Sequence, residues 1–282
     1  MRDLAGGLAW LSLNWATVRE QWDLRQAIDG CARHGIPGIA PWREPLQAMG
    51  VGEAARLLGD HGLTVSGLCR AGMFPAADAG GLQAAIDDNR RAIDEAAAIG
   101  AQCLVVLAGG MPAGSKDLPL ARRQARDGLA AVLSHARAAG VPLAIEPLHP
   151  MYAADRCCIS TLAQANDLCE DLDPAGDGGI GVAIDVYHVF WDPALEREIA
   201  RAGAAGRILA FHVCDWLVPT RDLLLDRGMM GDGVIDIPQI RGRVEAAGYD
   251  GLIEVEIFSR DWWRRDPDEV LDFIAERYRT SV

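Results

Sequence analysis

The chain has 282 residues, 50 % hydrophobic and 24 % charged, with a net charge of −13, the composition of a globular protein with an acidic surface. That sign repels phosphate backbones and weighs against nucleic-acid binding, and no apolar run approaches the ~18 residues of a membrane span. Twenty-six arginines stand against one lysine, Lys116, which disfavours imine chemistry, and seven cysteines without CxxC spacing predict a reduced, cytoplasmic chain.

Short apolar runs suited to buried strands alternate with longer stretches of helical periodicity. LAWLSLN (8–14) comes first, then the helical DLRQAIDGCARHG (23–35), then two further runs, GIPGIAPW (35–42) and LTVSGLC (63–69). GLQAAIDDNRRAIDEAAAIG (81–100) reads as a helix with a glycine just past its end, and AQCLVVLA (101–108) as the fourth strand. The helical ARRQARDGLAAVLSHARAAG (121–140) follows, then VPLAIEP (141–147), GIGVAID (179–185) and RILAFHV (207–213). IPQIRGRVEAAGYDG (237–251), GLIEVEIF (251–258) and the amphipathic DPDEVLDFIAERYR (266–279) complete the series. Eight β–α units without a break in composition predict the α/β class and a single (β/α)8 TIM barrel, one catalytic domain over 1–282. No GxGxxG loop follows the first run, which weighs against a doubly wound sheet.

In such a barrel the chemistry sits where the strands end. The fifth run closes on Glu146, the sixth on Asp185, the seventh carries His212 and the eighth closes on Glu256. Singly, such a carboxylate is often a cap or turn residue, and such a histidine a hydrogen-bonded core residue. At corresponding positions of four consecutive strands they are expected to converge, and this donor set suits Mn²⁺, Mg²⁺ or Co²⁺. Glu254 shares a face with Glu256 and is the alternative ligand. If it lies deeper, it needs a partner such as an arginine.

IEPLHP, IDVYHVFWD, FHVCD, GDGVIDIPQI and AAGYDGLIEVEIF, in that order, resemble segments of the xylose-isomerase-like barrels, a family of sugar and sugar-phosphate isomerases and epimerases that also contains dehydratases. The resemblance covers nearly the whole chain and is densest over 141–258. It implies one divalent cation on Glu146, Asp185, His212 and Glu256, with Mn²⁺ first and Mg²⁺, Co²⁺ or Zn²⁺ as alternatives. It also implies that His188 contacts substrate. The loop through Gly231, Gly233 and Asp236 matches a family segment, with Asp236 as a helix N-cap. Two positions depart from the ketose 3-epimerases: Val218 stands where they carry an arginine, leaving Arg221 as the nearest substitute, and Tyr152 stands where they carry a second glutamate. The departures point to a different keto-sugar.

The expected activity is metal-dependent isomerisation or epimerisation of a small keto-sugar or polyol ketone through an enediolate, with Glu146 and Glu256 as ligands and proton carriers. The alternative is a lyase or dehydratase in which the same enolate expels a β leaving group, acting on an inosose or a keto-glycoside. His188 and His149 are candidate donors to substrate oxygens. Trp15, Trp42, Phe190 and Trp216 follow strand ends, where rings can cover the C–H face of a sugar, although each alone is more often packing. Arg43, Arg70, Arg156 and Arg260 are candidates for anionic groups. His34, His61 and His135 fall on helices and read as structural. Endonuclease IV-like chemistry needs histidines at the second to fourth strand ends, and IAPWRE, SGLCRAG and VLAGGM have none. The expected partner is a small carbohydrate, with no nucleic acid and no membrane; barrels of this kind often form dimers or tetramers.

Overall fold

The computed structural model describes residues 1–282. Its strands are β1 Leu11–Asn14, β2 Gly38–Ala40, β3 Thr64–Val65, β4 Leu68–Gly72, β5 Leu104–Leu107, β6 Leu143–Ile145, β7 Ile180–Asp185, β8 Ile208–Val213, β9 Asp215–Trp216, β10 Arg227–Gly228 and β11 Ile253–Val255. Nine of them form one parallel sheet in the order β3-β2-β1-β11-β8-β7-β6-β5-β4, and β9 pairs antiparallel with β10 outside it. β3 and β4 are two pieces of one stave. Ser66 N bonds Ile39 O on one side, Leu68 N bonds Cys103 O on the other, and a parallel bridge from Trp42 to Cys69 brings the sheet's ends together. The result is a TIM barrel of eight staves, and each of the eight apolar runs contains its strand, except that β4 continues three residues past the third run, to Gly72.

The helices are α1 Leu24–Arg33, α2 Arg43–Met49, α3 Val51–Asp60, α4 Ala79–Ala98, α5 Leu118–Ala139, α6 Leu162–Leu172, α7 Val186–Val189, α8 Leu195–Ala204, α9 Ile237–Ala246 and α10 Pro267–Ser281. Local chemistry sets their ends. Asp23 and Gln26 form a reciprocal capping box on α1, and Gly140 closes α5 in the left-handed region at φ 70°. Asp236 caps α9 as predicted, accepting from Gln239 N. Five helices lie outside the helical segments singled out in the sequence: α2, α3, α6, α8 and the single turn α7. α2 and α3 are short and separated only by Gly50, at φ 92°.

Inside the barrel the apolar side chains are small: Cys69, Cys103, Val105, Ala144, Ala183 and Ala210. Polar side chains share that interior, with Ser12 Oγ 2.7 Å from Ser66 Oγ. Gly72 closes β4 at φ 100°, and a Cβ there would lie 1.8 Å from Leu107 O. All seven cysteines are buried and unpaired. The helix histidines each pair with aspartates, His34 with Asp268 and Asp272, His61 with Asp29 and His135 with Asp94. No helix is long and apolar enough to cross a membrane.

Candidate metal centre

Strand ends place each polar side chain. Glu146 follows β6 directly, its N–H held by Val106 O, and Pro147, lacking a donor, stops the ladder there. Asp185 ends β7 and caps α7, Oδ1 accepting from Tyr187 N at 2.9 Å. The turn reading of this aspartate therefore holds for one oxygen and leaves Oδ2 free to point inward. His212 sits on β8 in register with Asp185 on one side and Glu254 on the other. Glu256 follows β11, its N–H bonded to Val213 O.

Glu146, Asp185, His212 and Glu256 are all buried, and their ligand-competent atoms lie within 4.8 Å of one another. His212 Nδ1 is 3.0 Å from Glu146 Oε1. Glu254 lies outside this group, directed deeper into the barrel. Its expected arginine partner is absent. Asn14 Nδ2 and Ser66 Oγ each donate to it at 2.7 Å, and His212 Nε2 is 3.6 Å away. Two short polar side chains thus take the place expected for an arginine.

The arginine of the centre is Arg227, from the β9–β10 ribbon. Its Nη1 donates to Asp185 Oδ2 and to Glu256 Oε2, both at 3.0 Å, and its guanidinium lies over the rings of Tyr187 and Phe258. Asp215 positions the loop that follows it, accepting from the backbone N–H groups of Gly231, Gly233 and Ile235. Sequence reasoning missed Arg227, which lies 14 residues beyond Val213, the last residue of β8, in a stretch without periodicity. It also missed Asn14, although the same strand-end rule would have found it. Asn14 Nδ2 bridges Glu254 and Glu256, and its Oδ1 accepts from Trp42 Nε1.

Burial sets the ionisation of the group. It pushes Glu256 up to about 7, against the pull of Arg227, and it raises Glu146 and Asp185 as well. Burial alone would lower His212, but Glu254, Glu146 and Glu256 outweigh it and hold the imidazole well above its ordinary value. His188 is held well below its ordinary value by burial and by Arg227, so it is neutral. Three carboxylates and an imidazole, short of positive charge in a dry setting, are a donor set that fits a divalent cation.

A cavity of about 320 Å³ opens above Glu146 and Glu256, bordered also by His188, Tyr152, Trp42 and Phe258. That volume suits a small ligand. Of the proposed substrate contacts, His188 borders it. His149 does not: its ring lies against Trp191 and Trp216, and its backbone N–H donates to His188 Nδ1 at 3.2 Å. Trp216 stacks on Tyr187 at 4.6 Å, behind the cavity. Trp15 donates to Trp22 O and borders a separate cleft. Arg221 pairs with Asp226 and Asp261 and is largely exposed. Of the four candidate arginines, Arg70 and Arg156 border the cavity; Arg43 is tied to Asp88 and Glu95, and Arg260 lies near Asp222.

Comparison with known proteins gives a consistent result. The profile of the family described as xylose isomerase-like TIM barrel matches residues 28–277. Inosose isomerase of Bacillus velezensis is 22 % identical over 288 residues, covering 96 % of each chain. Among solved structures, a protein from Sinorhizobium meliloti 1021 superposes with a TM-score of 0.95 at 62 % identity, covering 98 % of this chain and 99 % of that one. The IolI protein with a bound zinc atom superposes with a TM-score of 0.81 at 19 % identity, covering 94 % and 95 %.

Proposed function

The chain belongs to the xylose isomerase-like TIM barrel family, and on that premise we propose that it is a divalent-metal-dependent isomerase or epimerase of a small keto-sugar or polyol ketone. The observation that carries the reading is the set of four ligand atoms within 4.8 Å at the floor of a sugar-sized cavity. The curated relative named inosose isomerase and the neighbour that holds zinc support it. Glu146, Asp185, His212 and Glu256 would hold the cation, and the oxygen-rich donor set favours Mn²⁺. When bound, the cation supplies Lewis acidity toward a substrate carbonyl and its neighbouring hydroxyl.

The chain's own groups do the rest. Glu256, raised to about 7, is poised to take a proton from the carbon beside the carbonyl near neutral pH, and Glu146, on a different strand, returns one. His188 is neutral and borders the cavity. Its Nδ1 accepts from His149 N, and its Nε2 lies 3.2 Å from Arg227 Nη2 and 3.6 Å from Asp185 Oδ2, so it positions both against the substrate. Arg227 opposes the burial that raises Asp185 and Glu256, and it faces charge that develops on the enediolate. Trp42 and Phe258 cover the C–H face of the sugar and keep water out. Seven buried, unpaired thiols support a reducing compartment, the cytoplasm.

The test is incubation of Mn²⁺-loaded protein with a panel of keto-sugars in D₂O. Deuterium is expected in an isomeric or epimeric product, with Glu146→Gln and Glu256→Gln each slowing exchange by about 10²–10⁴-fold. A product that has lost water or an aglycone would point to the lyase instead. A metal-loaded, folded protein that exchanges no substrate proton sinks the proposal.

A further inference from the structure

We infer that the substrate is an oxyanion, a keto-sugar carrying a carboxylate or phosphate on the end away from the carboxylate cluster. The inference rests on the keto-sugar reading for the reacting end and adds the chemistry of the other end. Arg19, Arg70 and Arg156 join Arg227 in bordering the cavity. Most arginines elsewhere on this chain find carboxylates, Arg122, Arg123, Arg265 and Arg279 excepted: Arg43 pairs with Asp88 and Glu95, Arg126 with Asp171, Arg137 with Asp173 and Arg201 with Asp167 and Glu170. Acidic residues outnumber basic ones 40 to 27, so an arginine without a carboxylate is unusual here.

Arg70 and Arg156 are half-buried and form no ion pair, although carboxylate partners are plentiful elsewhere on the surface. Each guanidinium lies over a ring of the cavity wall instead, Arg70 5.7 Å from Trp42 and Arg156 5.3 Å from Tyr152. Arg19 lies over Trp263 at 4.3 Å and Phe258 at 5.2 Å. Its Nε is buried without an acceptor; Glu20, 3.3 Å away, makes no hydrogen bond to it. Stacking on a ring fixes the guanidinium plane and leaves its edge donors available for bidentate recognition of an oxyanion.

Position separates these arginines from the acidic floor. The four residues of the converging group belong to β6, β7, β8 and β11 or their ends, one arc of the barrel. Arg19 follows β1 and Arg70 lies on β4, both on the remaining arc, and Arg156 lies in the loop after β6 where Cys157 bridges to Gly109, just past β5 at the edge of that arc. Arg227 alone pairs with the floor. On a chain of net charge −13, an anionic ligand is repelled at long range, and two unpaired cations at the mouth, Arg70 and Arg156, with Arg19 beside them, oppose that field locally.

Calorimetry on the Mn²⁺-loaded protein tests this with D-fructose, D-fructuronate and D-fructose 6-phosphate, the last two separating carboxylate from phosphate. At least one anion is expected to bind about ten- to a hundredfold more tightly than D-fructose, as charge-assisted arginine contacts provide. Arg70→Gln and Arg156→Gln should each reduce that preference about tenfold, through KM rather than kcat, and Arg156→Lys should restore part of it. The comparison on the unmutated protein stands even if a variant fails to fold. No preference for either anion, or no binding of either, overturns the inference, as does a wild-type preference in both folded variants. Deuterium exchange run on the same probes separates the two readings. Exchange without anion preference overturns only the oxyanion; anion preference without exchange overturns only the isomerase.

Discussion

Nη1 of Arg227 lies 3.0 Å from Oε2 of Glu256, and the same nitrogen lies 3.0 Å from Oδ2 of Asp185. One buried cation thus spans two carboxylates from β7 and the end of β11. Removing it leaves two buried charges uncompensated. Arg227→Met is expected to destabilise the metal-free protein by about 3–5 kcal/mol in denaturant unfolding, with saturating Mn²⁺ recovering part of the loss. A loss below about 1 kcal/mol would mean that the pair is offset elsewhere.

Glu254 and Glu256 are two residues apart, yet their surroundings separate their roles. Glu256 belongs to the converging group, whereas Glu254 accepts from Asn14 and Ser66 and faces His212 Nε2. Glu256→Gln should remove tight metal binding. Glu254→Gln should leave a bound metal but weaken it about 10–100-fold, the cost of disturbing an outer partner that orients an imidazole ligand. Metal titration of both variants checks this, and equal losses would place both carboxylates on the ion.

The pH dependence has a definite sign. Glu256 is raised to about 7, so in the metal-free protein its burial favours folding only while it is protonated, and that contribution is lost as pH rises through 7. The raised imidazole of His212 works in the same direction, contributing stability that is lost as pH rises through its folded value. A metal must displace both protons, so its affinity climbs as they leave. The difference in Tm between metal-loaded and metal-free protein should therefore widen between about pH 5 and pH 8. Proton release on Mn²⁺ binding, read in buffers of different ionisation enthalpy, gives an independent check. A Tm difference independent of pH would contradict the electrostatic account.

Gly72 ends β4 with φ at 100°, and a Cβ there would lie 1.8 Å from Leu107 O. Gly72→Ala forces the β4–β5 pair apart at the strand end next to Arg70. The expected cost is at least about 3 kcal/mol by chemical denaturation, combining strain with a backbone clash. Gly59→Ala, on the exposed side of α3 with open space around its Cα, should be neutral or slightly stabilising.

The barrel and the four converging side chains were legible because both follow from period and position. Apolar runs marked the strands, and a polar residue at or near the end of each of the last four marked the mouth. Arg227 was not legible, because a ribbon outside the barrel carries it and nothing periodic announces such a ribbon. Trp15, Trp216 and Arg221 were placed near the site by their distance along the chain from a strand end. That distance does not say whether the chain turns inward or away, and here Trp216 turns behind Tyr187 and Arg221 turns out to Asp261. The partners of Glu254 were hidden for a related reason. Ser66 falls in the break between β3 and β4, where a serine reads as a turn residue.

The polar side chains inside the barrel join end to end. Ser12 meets Ser66, Ser66 donates to Glu254, Asn14 bridges Glu254 and Glu256, and Trp42 donates to Asn14. A keel of hydrogen bonds therefore runs from the interior of the barrel to a ring in the cavity wall. Mutational drift in this layer is constrained from above, by the chemistry at the mouth, as much as by packing from the sides. A library that randomises Ser12 would accordingly be filtered first by catalysis and only afterwards by folding.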